Sequence, residues 1–307
     1  MNKQVVYIIS LPRSGSTLLQ KLLTTSSSVS SVAEPWFMLP LLSLFHRDYR
    51  APYNSRMTYE AIEAFSSSLD QQGVHLQQEV GEFANRIYSA ACGEDSTFFV
   101  DKTPRYYYQL NNLQQVMPDA KYIYLFRNPL EVLASKIRMR GHTLKGFAIY
   151  EDDIFLAPLK MLNGLQNAPH HFHAVSFHSL VTRPAEAAQR LGDFLGVADI
   201  TPLAVAQVNI EGKMGDPKAM AEHHNIHSNH ESWTSEVNSL VRYFLFRRVL
   251  RAIPEEFFEY CETNKTKHTN MLRSSISIRL LHPIRIGSDL LHLAYSRVNT
   301  ALKRVRT

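Results

Sequence analysis

Near the start of the chain, a cationic side chain, a glycine and several hydroxyl groups follow an apolar run. Residues 5–9 are mostly β-branched and predict a buried strand, and leucines at helical spacing follow from residue 18. A turn between a strand and a helix N-terminus presents backbone N–H groups at the positive end of the helix dipole, which favours anion binding. Arg13 adds a guanidinium group, and Gly15 lets the backbone approach a ligand. Further donors come from the hydroxyl groups of Ser14, Ser16 and Thr17.

The turn therefore predicts a site for a phosphate-like group, but not that of an ordinary ATPase. The Walker A pattern needs an earlier glycine and a lysine before its Ser/Thr, and this turn has neither. Taken alone, the turn also fits an ordinary strand-to-helix connection with a serine cap.

Two more cations follow predicted strands. Arg127 comes at the end of the apolar run 121–126, and Ser135 lies eight residues later on the next helix, so the two side chains are candidates for holding a second phosphate. Lys102 follows the run 97–100 and is a candidate for meeting charge on a transferred group. The alternatives are a surface ion pair at Arg127 and a capped loop around Thr103.

An acid and a late loop complete the set of candidates. Glu34 has the apolar neighbours Ala33, Pro35 and Trp36, which would raise its pKa and suit a general base. As an isolated residue it equally fits a solvated loop. The stretch 212–218 contains Lys213, Gly215 and Lys218 and is a candidate lid over a phosphate, or a simple surface turn.

The order of elements explains how these residues meet. Strands predicted at 5–9, 97–100, 121–126 and 172–177 alternate with helices at 130–137 and 184–195, and residues 55–92 have the pattern of a helical pair. Residues 26–31 are predicted to be a serine-rich connection. Alternating strands and helices indicate an α/β fold with a doubly wound parallel sheet, where ligands bind beyond the carboxyl ends of the strands. Arg13, Lys102 and Arg127 all fall there.

Composition places the chain among ordinary globular proteins. It has 307 residues, of which 45% are hydrophobic and 20% charged. We expect one domain over residues 1–270, with a helical insertion at about 40–95, and a basic amphipathic tail at 271–307. No apolar run is long enough to span a membrane, no signal peptide is expected, and two cysteines suit a reducing cytoplasm.

The net charge of +5 is concentrated in the tail, so we expect no nucleic-acid partner for the body of the protein. The tail has one acid, Asp289, and seven cations, namely Arg273, Arg279, Arg285, Arg297, Lys303, Arg304 and Arg306. Its candidate apolar face consists of Ile286, Leu290, Leu293 and Leu302. Such a helix either packs on the domain or contacts a membrane surface.

In this order, the motifs resemble those of sulfotransferases that use 3′-phosphoadenosine 5′-phosphosulfate. The turn from Leu11 to Leu19 is similar to that family's 5′-phosphosulfate loop, and Phe126 to Pro129 with Ser135 is similar to its 3′-phosphate motif. The resemblance implies a three-layer α/β/α fold with a central parallel sheet, like that of P-loop NTPases. It also implies that residues 13–17 bind the 5′-phosphosulfate and that Arg127 and Ser135 bind the 3′-phosphate.

The carbohydrate, tyrosylprotein and bacterial members are the branches that this chain resembles. There the resemblance makes Glu34 the catalytic base, places Lys102 on the sulfuryl group, and assigns the 212–218 loop to the cofactor. Two departures stand out: the steroid and phenol branch has lysine in place of Arg13, and a frequent Tyr-Glu-Asp-Leu segment is Phe177-His178-Ser179-Leu180 here. Because Phe177 stands in place of that tyrosine, any contact of the tyrosine hydroxyl is absent here.

The implied reaction is an in-line transfer of the sulfuryl group to a hydroxyl or amine, without a metal. Arg13 and Lys102 would stabilise the developing charge. The acceptor would be a carbohydrate, a lipid or a secondary metabolite. The alternatives are a P-loop kinase-like phosphotransferase and a non-catalytic protein of the membrane surface.

Overall fold

The four predicted apolar runs form neighbouring strands of one parallel sheet. The computed structural model describes residues 3–46, 55–167, 171–211, 233–276 and 281–306. The strands are β1 Gln4–Ser10, β2 Val29–Ser31, β3 Phe98–Asp101, β4 Lys121–Phe126 and β5 Phe172–Ser176. Their order across the sheet is β2-β3-β1-β4-β5, and each neighbouring pair is parallel.

Helices cover both faces of this sheet, which confirms the three-layer α/β/α prediction. Between the strands, and after β5, the helices are α1 Ser16–Leu23, α2 Met38–Leu42, α3 Ser55–Asp70, α4 Leu76–Ala91, α5 Leu110–Val116, α6 Pro129–Met139, α7 Phe147–Phe155, α8 Ala157–Gln166, α9 Phe177–Thr182 and α10 Pro184–Leu195. The C-terminal helices are α11 Leu240–Ala252, α12 Glu255–Tyr260, α13 Lys265–Ser274 and α14 Pro283–Arg306. The helical pair expected at 55–92 is present as α3 and α4.

Alternate residues of each strand enter two separate cores, because side chains alternate between the faces of a sheet. The core on one face is rich in aromatic rings and contains Tyr7, Tyr122, Tyr124 and Phe126. The core on the opposite face is aliphatic and packs Val6, Ile8, Ile123 and Leu125 against α1 and α10. Burial on both faces explains why these strands have continuous apolar sequences.

The register of the strands brings their carboxyl ends to one edge. Tyr7 of β1 lies opposite Asp101 of β3, and Ser10 of β1 lies opposite Leu125 of β4. Phe126 of β4 lies opposite Ser176 of β5. The residues that follow these strands therefore meet at one edge, as the sequence predicted.

Three strand assignments need correction. Residues 29–31 are not only a connection but the edge strand β2, which is short and has a single apolar residue, so its pattern is weak. Asp101 belongs to β3. β5 ends at Ser176, whose side chain accepts a hydrogen bond from the His178 backbone N–H and caps α9, so Phe177 begins a helix.

The helix α14 packs on the rest of the chain. The buried Asp289 of α14 accepts a hydrogen bond from the hydroxyl of Ser239, the N-cap residue of α11. The same carboxylate forms an ion pair with the Arg242 guanidinium at 3.0 Å. Leu293 packs against the aromatic core while Leu290 is 54% exposed, and the side chain of Leu302 lies outside the described ones, so the expected apolar face is only partly buried against the domain among the described residues. In the described ranges, no helix combines the length and the hydropathy that spanning a bilayer requires.

Candidate active site

The turn after β1 is shaped by its own backbone. Arg13 and Gly15 both have positive φ values, 75° and 92°, and α1 begins immediately afterwards at Ser16. The Ser14 hydroxyl and backbone N–H both donate to the Leu11 carbonyl, at 2.5 and 3.1 Å. Ser14 therefore holds the turn together, while Ser16 and Thr17 lie at the N-terminus of α1, where the helix dipole favours an anion.

Phe177 connects this turn to the neighbouring strand ends. A Cβ atom added to Gly15 would overlap the Phe177 ring, so only glycine allows this approach. The Arg127 guanidinium carbon lies 4.0 Å from the centre of the same ring, which is a cation–π contact. The ring thus lies against both halves of the predicted anion site.

Arg127 is brought together with the turn, as predicted. Its Nη1 donates to the Arg13 carbonyl at 3.0 Å, and its Nε donates to Glu131 Oε2 at 3.4 Å. Burial lowers the pKa of Arg127, the Glu131 carboxylate opposes that shift, and the cations Arg13 and Arg138 add to it. Such proximity of like charges is characteristic of a site that receives an anion.

Ser135 lies two turns into α6 and is half-buried. The Asn128 side chain caps this helix by accepting from the Leu130 N–H at 3.0 Å, and Pro129 occupies its first position. These two features fix the start of the helix that carries Ser135.

The predicted base and the predicted lysine form an ion pair. Lys102 Nζ lies 2.6 Å from Glu34 Oε1, with side chains only 3% and 13% exposed. The Trp36 indole N–H donates to Glu34 Oε2 at 3.2 Å, so both carboxylate oxygens have a partner. The surroundings differ from the apolar ones expected for Glu34, because an ammonium and an indole N–H both stabilise the carboxylate.

The loops that carry this pair are fixed by hydrogen bonds. The Trp36 backbone has a φ of 54° and donates its N–H to the Thr103 hydroxyl at 3.1 Å. Thr103 in turn donates to the buried Asp101, which also accepts from the hydroxyl groups of Tyr88 and Tyr106. Burial raises the pKa of Asp101, and these hydroxyl donors oppose the shift.

A second buried carboxylate, which sequence reasoning missed, joins two further cations. Asp153 of α7 pairs with Lys136 at 2.9 Å and with Arg105 at 3.1 Å, and it accepts from the Tyr107 hydroxyl at 2.7 Å. Burial lowers the pKa of Lys136, Asp153 opposes this, and Arg105 and Arg13 add to it. Lys136 lies on the helix that carries Ser135, and its ammonium is paired with Asp153.

The predicted lid residues Lys213, Gly215 and Lys218 lie outside the described residues. The last described residue before them, Glu211, accepts a hydrogen bond at its carbonyl from the Ala33 N–H at 2.8 Å. That contact places Glu211 beside Ala33, the residue before Glu34.

A model of the sulfotransferase family matches residues 5–202, which is more than half of the chain. The chain belongs to the sulfotransferase family. The matched range contains the turn, Glu34, Lys102, Arg127 and Ser135, and it ends before the segment with the predicted lid.

Individual curated relatives are consistent with this family membership. The nodulation protein NoeE of Sinorhizobium fredii is 28% identical over 212 residues, covering 62% of this chain and 50% of that protein. A putative protein-tyrosine sulfotransferase of Caenorhabditis briggsae is 25% identical over 200 residues, covering 63% and 65%. These matches span between half and two thirds of the relatives' lengths.

A solved structure shows the same fold. The sulfotransferase domain of the Synechococcus PCC 7002 olefin synthase matches with a TM-score of 0.52 and 23% identity, covering 76% of this chain and 88% of that one. The predicted sulfotransferase fold is thereby confirmed.

Two cavities among the described residues lie away from these strand ends. One of about 780 Å³ lies among α3, α4 and α5, and its lining includes Pro118 and Asp119, which precede β4 at the opposite edge of the sheet. None of the predicted site residues lines it. Within the described ranges, no group of three or more His, Cys, Asp or Glu side chains is placed to hold a metal ion.

Proposed function

We propose that this sulfotransferase moves the sulfuryl group of 3′-phosphoadenosine 5′-phosphosulfate to a hydroxyl or amine of a carbohydrate, lipid or secondary-metabolite acceptor. The observation that carries the proposal is the 2.6 Å pair of Lys102 and Glu34 at the end of β3, beside the cationic turn after β1. A base and a cation at one point are what a sulfuryl transfer requires.

The donor would bind across the ends of β1 and β4. The backbone and hydroxyl groups of residues 15–17 would hold the 5′-phosphosulfate at the α1 N-terminus. Arg127 and Ser135 would hold the 3′-phosphate, with Lys136 adding charge from the same helix. Their mutual proximity supports this placement, because an anion relieves the repulsion among the cations.

The transfer would use both members of the ion pair. The acceptor oxygen or nitrogen attacks sulfur, the bond from sulfur to the 5′-phosphate oxygen breaks, and Glu34 takes the acceptor proton. Lys102 would leave Glu34 for the sulfuryl oxygens as the donor binds, which frees one carboxylate oxygen for the acceptor. The Trp36 indole N–H would keep the other oxygen oriented. Adenosine 3′,5′-bisphosphate departs.

A cytoplasmic location is part of this proposal. Both cysteines, Cys92 and Cys261, are buried free thiols. Unpaired thiols are usual in a reducing compartment.

The experiment is turnover of labelled donor over a panel of acceptor classes. Glu34→Gln should lower turnover by roughly 10²-fold or more, the scale of a positioned general base. Binding of adenosine 3′,5′-bisphosphate, measured by calorimetry, should stay unchanged.

Glu94→Gln is the matched control, since Glu94 is exposed and precedes β3 at the opposite edge of the sheet. Near-normal turnover of Glu34→Gln would remove Glu34 from the catalytic role. Labelled sulfate on none of the acceptor classes would count against the transferase itself.

A further inference from the structure

Helix α14 carries apolar side chains on the side that faces away from the domain. Ile284, Leu291, Tyr295 and Val298 are between 56% and 75% exposed. Their spacing of seven, four and three residues puts them on one side of a helix, as in an amphipathic stripe. We call these four residues the outer stripe.

The opposite side of α14 is fixed to the domain by polar contacts. The buried carboxylate of Asp289 accepts from Arg242 Nε at 3.0 Å and from Arg242 Nη2 at 3.2 Å. The buried Ser296 hydroxyl accepts from the Ala148 N–H of α7 at 2.9 Å. These contacts set the rotation of the helix, so the outer stripe faces solvent because of specific bonds and not because the helix is loose.

The same contacts remove negative charge from the exposed surface. Asp289 is the sole acid in the sequence 283–306, and it is turned inward onto Arg242. Arg285 and Arg297 are exposed, and Lys303, Arg304 and Arg306 follow in the sequence of the last turns. Among the described side chains, α14 therefore presents outward an apolar stripe and the cations Arg285 and Arg297, with no exposed acid.

We propose that the outer stripe and its flanking arginines bind an anionic lipid surface. Apolar side chains on one side of a helix enter the boundary between headgroups and acyl chains, and flanking cations pair with anionic lipids. A second copy of this helix is a poor occupant, because pairing would bring cations together with no exposed acid on α14 to neutralise them. The inference is independent of the proposed reaction.

The test is sedimentation of the full chain with sucrose-loaded vesicles, either pure phosphatidylcholine or containing about a third phosphatidylserine. We expect binding to the anionic vesicles and little binding to the neutral ones. Leu291→Ser with Val298→Ser should weaken binding more than about tenfold, because two apolar side chains lose their burial. Arg285→Ala and Arg297→Ala should each weaken it about fivefold.

Leu203→Ser is the matched control. Leu203 is 91% exposed in the short 3₁₀ segment Pro202–Gln207. The variant therefore makes the same leucine-to-serine change outside α14, and it should alter binding less than twofold. All variants should keep the wild-type melting temperature, since the substituted side chains face solvent. Equal binding to both vesicle types, or no binding, would overturn the proposal. So would a concentration-dependent dimer that Leu291→Ser with Val298→Ser dissolves.

Discussion

Arg127 combines three interactions through one guanidinium group: the Arg13 carbonyl, the Glu131 carboxylate and the Phe177 ring. A side chain held on three sides is oriented before a ligand arrives, and a bound anion then costs little rearrangement. This preorganisation explains how burial at the strand ends is compatible with a permanent charge. Phe177, where some family members have tyrosine, contributes its ring and not a hydroxyl.

Substitution of Arg127 tests whether this side chain contacts the 3′-phosphate of the proposed donor. Arg127→Ala should weaken binding of adenosine 3′,5′-bisphosphate about tenfold or more, because charge-assisted hydrogen bonds contribute about 1.5–3 kcal/mol. Binding of adenosine 5′-phosphate should change much less. Calorimetric titration of both nucleotides measures the difference, with Arg190→Ala on the exposed side of α10 as the control. Equal losses for the two nucleotides would show that Arg127 does not contact the 3′-phosphate.

Residues that follow strands were predictable, and their partners were not. Arg13, Lys102 and Arg127 could be placed because parallel strands end at one edge. The pairing of Lys102 with Glu34 spans 68 positions, and that of Arg105 with Asp153 spans 48. No local periodicity encodes such contacts. The adjacency of Phe177 and Gly15 depends on the order of β5, β4 and β1, which the sequence does not state.

Among the elements, the β1–α1 turn depends most on a single residue. Gly15 combines a φ of 92° with contact against the Phe177 ring. A non-glycine residue in the left-handed region costs roughly 1–2 kcal/mol, and Gly15→Ala should lower the free energy of unfolding by more than this cost. It should also displace the Phe177 ring from Arg127. Urea denaturation and nucleotide calorimetry measure the two effects.

Gly73→Ala isolates the backbone part of that effect. Gly73 has a φ of 75° with nothing within 4 Å of an added Cβ, so it has the backbone strain without the overlap. If both variants lost the same stability and bound nucleotide equally well, the contact of Gly15 with Phe177 would have no role.

The start of α6 is sensitive to pH through His268. The Asn128 amide donates to His268 Nε2 at 3.0 Å and the Thr263 hydroxyl lies 2.9 Å from the same nitrogen, so Nε2 must be unprotonated. Burial lowers the pKa of His268 below its ordinary value of 6.5, and the nearby Glu131 opposes the shift. The unfolded chain therefore binds the proton more readily than the folded one. The resulting stability is present above pH 6.5 and is lost as the pH falls from there towards the folded pKa.

We therefore expect His268→Gln to flatten the decline in stability on acidification. Urea unfolding at a series of pH values, from neutral to mildly acidic, should show the wild type losing more stability than the variant. His75→Gln is the control, since His75 is exposed. A parallel decline in wild type and His268→Gln would exclude this role.

Weak patterns account for the elements that the sequence left undefined. β2 has three residues and one apolar side chain, so its pairing with β3 decides its conformation. The leucines and isoleucine of α14 repeat at helical spacing, which predicted a helix. Its orientation could not be predicted, because polar Asp289 and Ser296 face inward together with Leu293.

At the scale of the whole molecule, cations gather at the carboxyl ends of the strands, and the one acid of the C-terminal tail faces the interior. The strand ends collect cations for the proposed donor, while the tail's single acid is used internally. Arg242 lies between Glu236 and Asp289, and its Nη2 also donates to the His142 carbonyl. It therefore joins α11 to α14 and to the loop before α7. The position of the last helix depends on this network.

Asp289→Asn tests that dependence. The substitution removes the negative charge that neutralises the buried guanidinium of Arg242. We therefore expect a loss of about 3 kcal/mol in the free energy of unfolding. Glu186→Gln, which breaks an exposed pair with Arg190, should cost less than about 1 kcal/mol. Urea denaturation compares the two, and limited proteolysis should show faster cleavage within α14 of Asp289→Asn alone. Equal stability losses and equal cleavage would mean that packing of Leu293, and not the ion pair, holds the helix. In that case the outward orientation of Ile284, Leu291 and Val298 would need another cause.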